Sequence, residues 1–174
     1  MKHLFLALLL TGLNTMNAEN RLIEISIKET PPTFFIIHSH NLKSPAEIPA
    51  VISKYAPLLL KEIKKSKLTL IGNQYHIYHN MGDHSKQSVI EVAFPIENPK
   101  EKYTGKFEIK KYEKAHWLSA LAYGTQPEMF WGKVIKTANE RGYKLTGTDQ
   151  EMLVNIKKGA NDITEMRLGI EPRN

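Results

Sequence analysis

The sequence predicts an α+β fold in which two β-β-α-β-β repeats form one curved antiparallel sheet with two helices on one face. Three observations predict it. First, two runs share one design. Val89–Ile96 puts Ile90, Val92, Phe94 and Ile96 on one strand face and Glu91 with Ala93 on the other, and Ile163–Ile170 puts Met166, Leu168 and Ile170 on one face and Glu165, Arg167 and Gly169 on the other. Second, a capping-box pattern stands upstream of each run, Ser44-Pro-Ala-Glu47 and Thr125-Gln-Pro-Glu128. Third, the polar stretch from Glu97 to Gly105 separates two segments that carry the same element order. Ser44 precedes Glu91 by 47 residues and Thr125 precedes Glu165 by 40, a difference that the Lys-rich tail and loops of the first segment absorb.

Each element has a local reason. Leu22–Ile27 alternates as a strand and breaks at Pro31-Pro32. Thr33–His38 is a second strand, rich in aromatic and β-branched residues. Behind Ser44, the positions Ile48, Val51, Ile52, Tyr55, Leu58 and Leu59 recur at helical spacing; Pro57 is expected to kink this helix, and the lysines near Ser66 suit its C-terminal dipole. Gln74–His79 and Val89–Ile96 follow as strands across the turn Asn80–Asp83. In the second segment Lys106–Lys110 and Trp117–Tyr123 read as strands. Phe130, Val134, Ile135 and Ala138 form the stripe of a helix that Gly142 ends. Glu151–Ile156 and Ile163–Ile170 close the unit across a turn at Gly159–Asp162. The repeats span about 22–97 and 106–171 of one domain over 19–174.

Residues 1–18 read differently. Lys2 and His3 precede the apolar run Leu4–Leu10, and small or polar residues lead to Ala18, the pattern of a secretory signal peptide with its cut after Ala18. The chain is therefore expected to be exported, periplasmic or secreted, with no integral membrane segment after the cut, because the apolar run is too short to span a bilayer. Among 174 residues there is no cysteine, which excludes thiol catalysis and Cys-based zinc sites. The formal charge is +6, or +5 without Lys2, and it is diffuse. No groove-reading motif accompanies it, so no nucleic-acid partner is expected. No Gly-rich phosphate loop and no nucleophile elbow appears, and no cofactor is called for. His38 and His40 share a strand face while His76, His79 and His84 lie on or near a hairpin; His76 and His79 point to opposite faces, so no metal site is expected.

The paired units, Thr164-Glu165 near the end, Tyr123-Gly124 before a capped helix and the Glu24 to Pro32 strand together resemble the GyrI-like domain, a SOUL-related fold also met as the effector-binding half of AraC- and MerR-type multidrug regulators. The likeness runs over residues 22–171. It implies a curved eight-stranded sheet with pseudo-twofold symmetry and a cleft between the halves for bulky, lipophilic and often cationic compounds. It also implies that Glu165 sits in that cleft among aromatic side chains. Some stand-alone members hydrolyse strained, cyclopropane-containing toxins with the matching glutamate. This chain departs from the pattern in its leader, in lacking a helix-turn-helix segment, and at Arg167, which shares a strand face with Glu165 and stands where the family has an uncharged residue.

The candidate ligand-binding residues are Glu165, its repeat counterpart Glu91, and the aromatics Tyr78, Trp117, Tyr123 and Trp131, since an aromatic face beside a carboxylate suits a cation or a flat ligand. Trp117 and Tyr123 share strand parity, and Trp131 leaves its helix at a different angle from Phe130, either closing the cleft or shielding the helix edge. The plain alternative is a half-exposed sheet whose outer face is simply polar. Three functions remain. The first is a small-molecule binding protein for a bulky lipophilic, cationic or neutral ligand. The second is a hydrolase with Glu165 as catalytic base. The third is a scaffold whose cleft is closed by an Arg167–Glu165 pair.

Overall fold

The computed structural model describes residues 20–81, 85–99, 102–124, 127–155 and 163–171. The leader, His84, the turn at 159–162, and parts of the turn at 80–83 and of the capping box at 125–128 lie outside these residues. The order is β1 (Arg21–Thr30), β2 (Thr33–Asn41), α1 (Ile48–Lys65), β3 (Tyr75–His79), β4 (Val89–Ile96), β5 (Glu108–Tyr112), β6 (Ala115–Tyr123), α2 (Trp131–Glu140), β7 (Leu145–Asn155) and β8 (Ile163–Ile170). All eight strands join one sheet in the order β1-β6-β8-β7-β3-β4-β2-β5, with every pair antiparallel.

The order contains an exchange. The first strand of each repeat pairs with the other repeat: β1 lies on β6, and β5 lies on β2. The two halves meet where β3 pairs with β7. Neither half of the sheet is complete without a strand from the other repeat.

The helix-side core follows the alternation of the sequence. Val51, Leu59 and Ile63 of α1 pack on Ile36, Ile90, Val92, Phe94 and Ile96, while Val134 and Ala138 of α2 pack on Leu118, Ala120, Met166, Leu168 and Ile170. Ser44 begins the first helical segment by accepting the Ala46 N–H at 3.2 Å, and Glu47 reaches back to the Lys43 N–H at 3.0 Å, one residue beyond the reciprocal bond of a standard capping box. Pro57 does not interrupt α1, which runs unbroken through it. Ser53 and Pro57 are both exposed, so water can serve the carbonyl that the proline leaves unbonded. Gly142 ends α2 in the left-handed region, with the Tyr143 N–H on the Ala138 carbonyl at 3.0 Å.

Several strands run past the bounds read from the sequence, and two of the differences bear on the site. β5 starts two residues later than expected, which brings Tyr112 into the sheet. β7 starts at Leu145, six residues earlier, through a register shift between Leu145 and Asp149 that uses the positive φ of Gly147. Neither Lys106-Phe107-Glu108 nor Leu145-Thr-Gly-Thr148 alternates cleanly enough to mark its strand. At the bulge, Thr146 and the Thr148 carbonyl press against Gly169, where a Cβ would overlap both.

Candidate functional site

The face of the sheet away from the helices forms a trough. Its polar positions come from the same alternation that builds the core. Glu165 and Arg167 of β8 lie beside Leu121 and Ser119 of β6, and beyond them stand Ser26 and Lys28 of β1. In the other half, Glu91 lies beside Ser39 of β2, with Lys110 and Tyr112 on β5. Glu165 and Glu91 are both 3% exposed, as the strand patterns place them, but neither is open to solvent.

A buried carboxylate needs partners, and each glutamate has a full set. Ser119 donates to Glu165 Oε1 at 2.5 Å, Lys28 Nζ to the same oxygen at 2.9 Å, and Arg167 to Oε2 at 2.9 Å. On Glu91, Lys110 Nζ donates to Oε1 at 2.8 Å, with Ser39 Oγ at 3.4 Å and His79 Nε2 at 3.5 Å, and the Tyr112 hydroxyl donates to Oε2. Burial alone would push both carboxyls up. The donors outweigh it: Arg167, Ser119 and Lys28 hold Glu165 at about 2, and His79, Lys110 and Tyr112 hold Glu91 at about 2. Tyr112 moves the opposite way, pushed up by burial and by its bond to Glu91.

The strand exchange supplies the lysines. Lys28 belongs to the first repeat and neutralises the glutamate of the second, whereas Lys110 belongs to the second and neutralises the glutamate of the first. The duplication read from the two strands therefore extends to their lysine partners. It fails beyond the lysines and serines: Arg167 follows Glu165 by two residues and bonds it where Ala93 follows Glu91, and Glu91 is met instead by Tyr112 and His79.

Between the two glutamates lies a cavity of about 530 Å³, walled by Trp117, Tyr75, Tyr112 and Phe35, with Arg167 and Gln150 on its lining. Phe35 sets its ring edge-on to both tyrosines, at 5.2 Å from Tyr75 and 5.7 Å from Tyr112. The Trp117 indole N–H is bound to Thr30 Oγ1 at 2.8 Å, which leaves its ring as wall. The Arg167 guanidinium lies 5.5 Å from the Tyr75 ring centroid. Neither glutamate lines the cavity; Glu165 lies behind Arg167, and Glu91 lies behind Tyr112.

The candidate residues therefore divide. Trp117 lines the cavity. Tyr123 shares the face of Glu165 but sits at the far end of β6, beneath the Arg21 guanidinium at 5.0 Å, outside the lining. Tyr78 is on the helix side instead, because β3 presents Tyr75, Ile77 and His79 to the trough and His76 with Tyr78 to the core. Trp131 is also on the helix side and does not close the cleft: its indole donates to Glu151 Oε1 at 2.9 Å, and the Tyr78 hydroxyl donates to Oε2 of the same carboxylate at 2.8 Å. The residues that sequence reasoning missed are Tyr75, Tyr112, Phe35, Gln150 and the two lysines. Among the described residues no group of three or more potential metal ligands converges; His38 stacks on Tyr55 at 3.4 Å.

No protein-family model and no curated sequence matches the chain. Solved structures do. The C-terminal domain of EcmrR is similar with a TM-score of 0.70 and 17% identity, over 85% of this chain and 97% of that one. SAV2435, solved bound to tetraphenylphosphonium, is similar with a TM-score of 0.60 and 10% identity, over 86% and 94%. A hydrolase encoded by lin2189 from Listeria innocua is similar with a TM-score of 0.52 and 10% identity, over 85% and 92%. At these identities the likeness is one of fold, and it matches the curved eight-stranded sheet that the GyrI-like resemblance implies.

The carboxyl of Glu165 titrates at about 2 in the folded chain against 4.5 ordinarily. Its contribution to stability is therefore fully present above the ordinary value and is lost as pH falls toward the folded one. Glu165→Gln is expected to destabilise the protein by roughly 3 kcal/mol at about pH 7, because it leaves Arg167 and Lys28 without their anion. The gap should shrink by about pH 3, as measured by urea unfolding at both values. An equal gap at both would contradict the ion pairing.

Proposed function

We propose that this chain binds a bulky, ring-bearing small molecule in the trough without transforming it. The observation that carries this reading is the cavity itself: about 530 Å³, open, and walled by four aromatic side chains held by the sheet. That size and lining are those of small-molecule sites. SAV2435, which shares the fold, holds tetraphenylphosphonium, and the likeness supports the same general use here.

The alternatives are less well supported. A general base near neutral pH needs a carboxylate whose proton affinity is near that pH and whose lone pairs are free. Glu165 is held at about 2, and both its oxygens accept hydrogen bonds, so a hydrolytic role for it finds no support in this arrangement. The Listeria likeness supports the fold and not that chemistry. A scaffold role would be favoured by an Arg167–Glu165 pair that fills the cleft. The pair forms at 2.9 Å, yet it lies along the floor and leaves the cavity open. No described helix is long and apolar enough to cross a membrane. We further propose export by the leader, on the sequence alone. A protein recovered from cells with Glu19 as its first residue would support it, and one retaining Met1 would not.

The chain has two tryptophans, and only Trp117 faces the cavity. In Trp131→Phe, Trp117 becomes the sole indole reporter. Ring compounds of drug size are expected to quench it and raise the melting temperature together, since a ligand that binds only the folded form stabilises it. Quenching with no thermal shift across neutral, cationic and anionic ring compounds would count against the binding reading.

A further inference from the structure

Charge balance decides what kind of ring-bearing molecule the trough selects. Both trough glutamates are used up inside the protein: Glu165 by Lys28, Ser119 and Arg167, and Glu91 by Lys110, Tyr112, His79 and Ser39. The ionised groups of these two clusters are two carboxylates against Lys28, Lys110 and Arg167, so one positive charge is in excess. The group of that set that reaches the cavity lining is Arg167, and it is 8% exposed.

Arg167 is not saturated. Its terminal nitrogens bond Glu165 and, at 3.4 Å, the Tyr75 hydroxyl; its Nε is buried with no hydrogen-bond partner. Gln150 stands directly opposite Arg167 in the β7–β8 ladder, lines the same cavity and is 4% exposed. Among the described residues its side-chain amide makes no hydrogen bond. The amide opens onto the cavity, where a bound molecule can reach it. A guanidinium and an amide side by side, both with donors to spare, match a carboxylate. Trp117, Tyr75, Tyr112 and Phe35 suit the ring system that would carry it.

We infer that the trough takes an aromatic or polycyclic anion, a carboxylate above all, with Arg167 and Gln150 holding the acid group and the four aromatic residues holding the rings. This rests on the binding reading above and narrows it. Lipophilic cations of the tetraphenylphosphonium kind meet the Arg167 guanidinium here, and the two carboxylates on the lining, Glu113 and Glu171, are each already paired with a lysine, Lys111 and Lys144. The preference therefore runs opposite to the cationic ligand that the GyrI-like resemblance implies.

The test uses probes matched in shape. Tetraphenylborate and tetraphenylphosphonium differ chiefly in the sign of their charge. Pyrene carboxylate and pyrene methanol differ in the acid group. Affinities for the whole protein at about pH 7 are expected to favour borate over phosphonium, and carboxylate over alcohol, by about tenfold or more, the worth of one charge-assisted contact. Arg167→Met should erase both preferences. Gln150→Leu should reduce the carboxylate preference alone, because borate accepts no hydrogen bond, and this variant keeps every ion pair intact should Arg167→Met fold poorly. Phosphonium binding as tightly as borate, or the alcohol as tightly as the carboxylate, overturns the anion preference while leaving the binding site in place. If none of the four probes binds, the binding reading itself falls, and this inference with it.

Discussion

The structure depends on a buried negative charge that must be matched from within the chain. Alternation along β8 and β4 sends Glu165 and Glu91 away from the helix-side core, and the curvature of the sheet then encloses that second face. A carboxylate so enclosed costs several kcal/mol unless it is paired and hydrogen-bonded. The edge strands answer this. β1 and β5 each cross to the other repeat and deliver one lysine, so that each repeat stabilises its neighbour's glutamate. The same exchange that completes the sheet completes the electrostatics.

The functional consequence follows from which residues remain at the surface of the cavity. Had Glu165 lined it unpaired, the trough would suit a lipophilic cation or supply a base. Arg167 stands between Glu165 and the cavity, and Tyr112 stands between Glu91 and the cavity. Both acids become supports for the residues that would touch a ligand. The asymmetry between Arg167 and Ala93 in otherwise matching strands puts a guanidinium on the second half of the trough at the place where, in the first, Ala93 packs with Phe35, Ile37 and Ile77.

Much of this was legible in the sequence. The two β-β-α-β-β repeats, the helix stripes, the inward faces of β4 and β8, and the shared face of Arg167 and Glu165 follow from periodicity, which reports which residues share a face; that the two side chains pair is a finding of the structure. Periodicity does not report which strand lies beside which, so the exchange of β1 and β5, and with it the roles of Lys28 and Lys110, could not be read. It also fails where both faces carry similar residues. In Tyr75–His79 each face has a tyrosine and a histidine, and the one aliphatic residue, Ile77, belongs to the trough-side cluster. Choosing Tyr78 over Tyr75 for the cavity was the result. Tyr112 was missed because Lys110-Lys111 sits between it and the apolar residues that define the strand, and Gln150 because the bulged start of β7 has no alternation to extend.

The central claim is that Glu165 is ionised and fully satisfied beneath the cavity floor. Carbon-detected NMR of the Glu165 side-chain carboxyl, followed as pH is lowered from about 7, tests it directly. The account predicts that the signal stays that of a carboxylate well below 4.5 and moves only as pH nears about 2. A midpoint at or above 4.5 would mean that burial prevails over Arg167, Ser119 and Lys28, and that the acid is available to a ligand after all.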